Sequence, residues 1–212
     1  RRYHLPKDKM QVVYNGTDLH RFIPHPAHTD TPLRLIYVGR IIRDKGIDLL
    51  LEALAACPTD TPITLTLVGS DHGGYTEQMQ ALAARLHLED KVQFLGSRTD
   101  VPQLLQAADL FVHPATCQEG FGITLIEAMA SGVPCLAFPK GAIPEIIGPE
   151  IDGFLTEEVS AAALTAGINR ALELFTKAPH HWHTLCKNAR QKAELFSIER
   201  TVAQLETLYR EQ

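Results

Sequence analysis

The sequence lacks the features that would mark a membrane, secreted or nucleic-acid-binding protein. None of its 212 residues belongs to an apolar run approaching the ~18 that a membrane span requires. Cysteine is sparse: Cys57, Cys117, Cys135 and Cys186 are widely spaced and form no C-x-x-C pair. They fit a reduced, cytoplasmic setting better than a disulfide framework. Basic residues are outnumbered, with Lys+Arg 20 against Asp+Glu 25 and a net charge of -5. That balance argues against a nucleic-acid partner, which calls for a basic face. No signal peptide is visible, but the chain opens at Arg1 without a methionine, as an excised piece would, so a missing targeting signal excludes little. There is no internal repeat, no low-complexity segment, no Ser/His/Asp constellation, no P-loop lysine motif and no H-E-x-x-H.

What is present is an apolar fraction of 45%, enough for a proper core. Strand-like runs alternate with helical ones through residues 33–138. Strands are expected at Met10 to Tyr14, Leu33 to Val38, Ile63 to Val68, Val92 to Leu95, Leu110 to Val112 and Pro134 to Phe138. Helices are expected at Gly46 to Ala56, Glu77 to Leu86, Val101 to Ala108 and Ile123 to Ser131. Three further helices close the chain, at Ser160 to Phe175, Trp182 to Leu195 and Ile198 to Arg210. The strands are apolar on both faces or nearly so, which marks a parallel sheet covered on both sides. The expected fold is α/β, one Rossmann-like doubly wound parallel sheet with helices on both faces.

The most informative stretch is Glu119-Gly-Phe-Gly-Ile-Thr-Leu-Ile-Glu127, continuing to Pro134. Gly120 and Gly122 let the backbone approach a ligand closely. The helix that follows leaves unpaired N–H groups and partial positive charge at its start, which suits a phosphate. Glu119 precedes that start. Glu127 lies about one turn inside, roughly 6 Å along the axis at ~1.5 Å per residue. Two carboxylates flanking a phosphate seat match a nucleotide-sugar, which sets hydroxyls on either side of a diphosphate. An ordinary glycine-rich helix start with two solvated glutamates is the alternative.

Other polar motifs fall at strand carboxyl ends, where open α/β sheets bind ligands. Gly39-Arg40 and Lys45-Gly46 place two cations across one strand-to-helix turn. Together they can clamp a diphosphate, the guanidinium by paired hydrogen bonds and the ammonium as a point charge. A surface arginine and lysine beside a turn is the competing reading, and Arg43 is expected in solvent. Gly69 to Gly74 has the wrong spacing for a dinucleotide loop and reads as a wall of the site. Arg98 is either a base contact or a surface residue. His113 reads as a satisfied core histidine rather than a lining residue. His180 and His183 share a helix face, but no Cys, Asp or Glu nearby completes a metal set, so an exposed helix start is expected.

With these residues in place, the chain resembles the donor-binding, C-terminal domain of GT-B glycosyltransferases of family 4 (glycosyl transferases group 1), over nearly its whole length. Asn15-Gly-Thr-Asp-Leu-His-Arg-Phe22 resembles N-G-V-D-x-x-R-F. Gly39-Arg40 with Lys45-Gly46 matches G-R-x-x-x-x-K-G, and Glu119 to Glu127 matches the E-x7-E signature. Gly141-Ala-Ile-Pro-Glu-Ile-Ile147 resembles G-G-x-x-E-I-V, with Ala142 in place of the second glycine. The resemblance implies that Gly39, Arg40 and Lys45 hold the donor diphosphate. It puts Glu119 near the reacting centre and Glu127 on ribose hydroxyls. Backbone N–H groups around Gly120, Phe121, Gly122, Ile123, Thr124 and Leu125 would cradle sugar and phosphate. It implies retention of configuration, no bound metal, and a UDP-hexose donor. The acceptor would be a glycan or lipid-linked molecule of bacterial envelope or lipopolysaccharide synthesis, met in the cytoplasm or at the inner face of its membrane. On this resemblance residues 1–212 are the donor domain, an N-terminal acceptor domain is missing, and the piece alone is inactive in transfer. Ile198, Val202, Leu205 and Tyr209 would then expose an apolar face. A non-catalytic nucleotide-binding module and a nucleotide-sugar epimerase of the same fold are the alternatives.

Overall fold

The computed structural model describes residues 10–24, 32–58, 60–71 and 73–210. Arg1 to Lys9, residues 25–31 of the loop expected at His20 to Pro32, and His72 of the Gly69 to Gly74 loop lie outside them.

Six parallel strands form one sheet: β1 Leu33–Val38, β2 Ile63–Val68, β3 Val92–Gly96, β4 Leu110–His113, β5 Cys135–Ala137 and β6 Gly153–Leu155. Their order is β3-β2-β1-β4-β5-β6. The chain winds outward from β1 to β3, then crosses back to β4 and winds the other way. The switch point is the gap between the carboxyl ends of β1 and β4. In β1 all but Arg34 are buried, on both faces of the pleat. That is why its sequence shows no alternation.

One face packs under α1 Ile47–Ala55, α2 Tyr75–Arg85 and α6 Ala161–Lys177, where Leu35, Leu65, Leu50 and Ile168 share a core. The other packs under α3 Val101–Gln106, α4 Ile123–Ala130 and α5 Ile143–Ile146, where Ile36, Phe111, Met129 and Ile146 share a second. Helix α7 Pro179–Ala193 joins the two. Its Trp182 and Leu185 sit in the first core and its Ala189 in the second. Its Arg190 donates to the carbonyls of Phe22 at 2.8 Å and Ala130 at 2.6 Å, capping the carboxyl end of α4.

Met10 to Tyr14 is not a strand. It carries no ladder, and Met10 and Val12 are exposed. The nearest pairing is a single bridge from Thr17 to Ser197. Strand β6 and helix α5 lie beyond the elements expected from the sequence. Helix α8 Ile198–Arg210 matches its expected bounds and buries none of its residues, leaving Ile198, Val202, Leu205 and Tyr209 exposed as one apolar stripe. No helix among the described residues is long and apolar enough to cross a membrane.

Candidate functional site

The switch point opens into a cleft of about 580 Å³, within the range of small-ligand sites. Gly39, Arg40 and Lys45 line it from the β1 side. Glu119, Gly120, Phe121, Gly122, Ile123 and Thr124 line it from the β4 side, with Tyr37 and His113 in its wall. The cations and the glycine-rich turn, 74 residues apart at the Lys45–Glu119 contact, therefore share one pocket.

Backbone hydrogen bonds dock the two loops. After β1 the chain makes a 3-10 turn over Arg43–Lys45, and Gly46 follows with φ 66°. A side chain on Gly46 would meet the Pro114 carbonyl oxygen at 2.0 Å, so only glycine lets this turn touch the end of β4. The Asp44 carbonyl accepts from the N–H groups of Thr116 and Cys117, at 3.0 and 3.4 Å. On the far side the Glu119 carbonyl accepts from the Ala142 N–H at 3.0 Å, and Gln118 Oε1 accepts from Gly141 N–H at 2.9 Å. Ala142 is comfortable there at φ -81°, so the departure from a second glycine costs no backbone strain.

Inside the cleft, Lys45 Nζ donates to Glu119 Oε2 at 2.6 Å, and His113 Nε2 lies 3.2 Å from the same oxygen. The side chains of Lys45 and Glu119 are 16% and 18% exposed, too dry for the pair to be dismissed as a surface contact. The His113 hydrogen bond, with Lys45, holds the Glu119 carboxyl at about 2 although partial burial pushes the other way. Tyr37 donates to the Arg40 carbonyl at 2.8 Å, under Gly39. Burial, then the Glu119 charge, push its phenol well above the usual range, so it acts as a donor. Arg40 itself is exposed. Helix α4 follows its N-cap Gly122 with no side-chain cap, and its first residues, Ile123 and Thr124, line the cleft.

Three expected site residues are not among those that line the cleft. Leu125 is fully buried, and its N–H already donates to the Gly122 carbonyl at 3.0 Å. Glu127 is half-buried one turn along α4, outside the cleft lining. Burial raises its carboxyl and nearby Arg21 pulls it back. Arg98 is exposed and paired to Asp100 by two hydrogen bonds, at 2.8 and 2.6 Å. His113 corrects its expectation: it is a cleft-wall residue, and its buried Nδ1 has no partner among the described residues, so it is no satisfied core histidine. Tyr37 was not anticipated. Its only sequence signal was its place two residues before Gly39-Arg40. Helix α7 carries His180 and His183 in its first turns, and no group of three metal-ligating side chains occurs among the described residues.

A doubly wound parallel sheet with cations, an acid and an open helix start at its switch point defines a Rossmann-like ligand-binding domain. The chain belongs to the glycosyl transferases group 1 family, whose model matches residues 21–192. It is 31% identical to the N-acetyl-alpha-D-glucosaminyl L-malate synthase of Bacillus anthracis, over 96% of this chain and 54% of that protein. It is 28% identical to the lipopolysaccharide core biosynthesis mannosyltransferase LpsB of Rhizobium meliloti, over 93% of this chain and 60% of that protein. Among solved structures it is similar to Anabaena Alr3699/HepE in complex with UDP-glucose. The TM-score there is 0.84 at 29% identity, over 95% of this chain and 57% of that one. The chain thus spans about half the length of the curated relatives it matches.

Proposed function

We propose that this chain is the donor half of a retaining glycosyltransferase, and that its cleft seats the diphosphate of a UDP-hexose. The carrying observation is the convergence of Arg40, Lys45 and the open start of α4 on one pocket with Glu119. Lys45 has three donors and spends one on Glu119, which leaves two for phosphate oxygens. Arg40, exposed at the rim, offers a planar fork to the same group. When the anomeric C–O bond breaks, its electron pair moves to the β-phosphate oxygen. Fixed positive charge at that oxygen lowers the transition state more than the ground state. The acceptor hydroxyl attacks from the face the phosphate leaves and gives its proton to the departing oxygen, so configuration is kept. Glu119 accepts from sugar hydroxyls, Glu127 from ribose hydroxyls, and the cationic work falls to Arg40, Lys45 and α4 rather than to a metal.

Support for UDP comes from the bound nucleotide-sugar of the HepE structure. Support for a glycan or lipid-linked acceptor of the envelope comes from the lipopolysaccharide relative. An N-terminal acceptor domain, which the greater length of the relatives supports, would complete the transferase at the inner face of the cytoplasmic membrane. Titration calorimetry with UDP and UDP-glucose tests the donor seat. Arg40→Ala should lose at least tenfold in affinity, as expected for charge-assisted hydrogen bonds. Unchanged binding by that variant would move the diphosphate elsewhere.

A further inference from the structure

His113, at the last position of β4, is 4% exposed and has no role in the function proposed above. Its ring stacks on Phe111, with centroids 6.3 Å apart and planes 17° apart, which fixes its plane. Nε2 points to Glu119 Oε2 at 3.2 Å, while Nδ1 is buried with no partner among the described residues. A carboxylate oxygen only accepts, so the hydrogen of this contact sits on Nε2. Glu119 Oε2 therefore has two donors of different kinds, a mobile ammonium from above and a rigid N–H from the sheet.

We propose that His113 is the positioning residue for Glu119: its Nε2–H anchors the carboxylate in the cleft, so that Lys45 can turn to a phosphate without releasing it. The inference rests on the donor reading of the cleft. Lys45 is asked to serve Glu119 and a diphosphate together, and a flexible four-carbon stem can swing between them. A carboxylate held by Lys45 alone would follow the ammonium or lose its partner. Held by His113 as well, it stays aimed at the sugar while one of its oxygens is still free to accept. The low titration of Glu119 fits this arrangement, with His113 as its leading cause. The other groups beside that carboxylate are Lys45 on the β1–α1 turn and Tyr37 on β1, and Tyr37 in turn feels the charges of Arg40 and Cys117.

The alternative is that the imidazole merely fills space, in which case leucine would serve as well. Carbon-13 titration of the glutamate side chains of this chain separates the two. In the wild type Glu119 should stay charged down to about 2 or to the acid limit of the fold. His113→Leu should lift its midpoint by about one pH unit, whereas His113→Gln, whose amide can donate to the same oxygen, should keep it low. His113→Leu should also weaken UDP-glucose binding roughly tenfold, with binding by His113→Gln largely retained. An unchanged midpoint in His113→Leu overturns the proposal, and so does a shifted midpoint with unchanged UDP-glucose affinity. If His113→Leu does not fold, nitrogen-15 spectra of the wild-type ring decide: an Nε2–H tautomer supports the anchor and an Nδ1–H tautomer ends it. Failure of the wild type to bind UDP-glucose would fell the donor reading and leave the titration to judge the hold of His113 on Glu119.

Discussion

Glu119 and Glu127 lie eight residues apart at the start of one helix, yet their surroundings push them in opposite directions. The His113 hydrogen bond and Lys45 lower Glu119 to about 2, from an ordinary 4.5. A lowered acid adds stability above its unfolded value and loses it as pH falls through its folded one. Acid should therefore weaken the fold between about 4.5 and about 2 in proportion to this site. Urea midpoints across that window should fall less steeply in Glu119→Gln than in the wild type. Glu127 is raised by burial, with Arg21 opposing. A raised acid adds stability below its unfolded value and loses it as pH rises through the folded one, so at neutral pH its charge opposes folding. Glu127→Gln should then raise Tm at pH 7 while weakening UDP binding about tenfold, if the buried carboxylate holds ribose hydroxyls. Equal UDP affinity in that variant would remove Glu127 from the ribose.

The loops that end β1 and β4 meet because Gly46 has no side chain. An alanine there would combine a left-handed φ of 66° with a 2.0 Å contact to a carbonyl oxygen. Gly46→Ala should cost at least about 2 kcal/mol, seen as a fall of about 4–8 °C in Tm, and should loosen Lys45 from Glu119 as well. Such elements explain what could be read from sequence and what could not. The long strands β1 and β2 were legible to the residue, because six-residue runs apolar or β-branched throughout, save Arg34 in β1, and bounded by turns have few other uses. Gly132 follows the end of α4 with φ 74°, a left-handed turn that suits glycine and closes the helix near its expected bound at Ser131. Strand β6 was missed: three residues beginning with glycine carry no periodicity, and the neighbouring β5 alone makes them a strand. Met10 to Tyr14 has the composition of a strand but no free sheet edge beside it. Tyr14 instead stacks on Phe121 at 5.9 Å and donates to Glu145 at 2.7 Å. In the site, Arg40, Lys45 and Glu119 could be nominated from motif spacing. That Lys45 and Glu119 pair directly could not, since the contact is made by two loops far apart in the chain.

At the scale of the whole molecule, the unusual feature is an amphipathic helix whose apolar side the described residues leave exposed. Helix α8 hangs from the body by a few ties, among them Ile198 N–H to Thr17 O at 3.0 Å and Thr201 Oγ1 to Tyr14 O at 2.9 Å. Val202 is 46% exposed and Leu205 40% exposed, so neither contributes a full measure of burial to this chain. A glutamate at either place should leave the Tm of the chain within the small range of surface changes, about 0.5 kcal/mol. The same change should reduce self-association, read by light scattering, because a contiguous apolar stripe is what drives such contacts. If Val202→Glu or Leu205→Glu instead unfolded the chain, the stripe would belong to its own core and would not be an interface. The stripe and the cleft together set the final expectation. On the proposed function the groups that would grip a diphosphate lie within this chain, whereas the acceptor surface would lie on a further domain docked against α8. The chain alone should therefore bind UDP-glucose in calorimetry and release no UDP when acceptor glycans are added. Sustained UDP release dependent on acceptor, from these 212 residues alone, would show that the acceptor site is here as well.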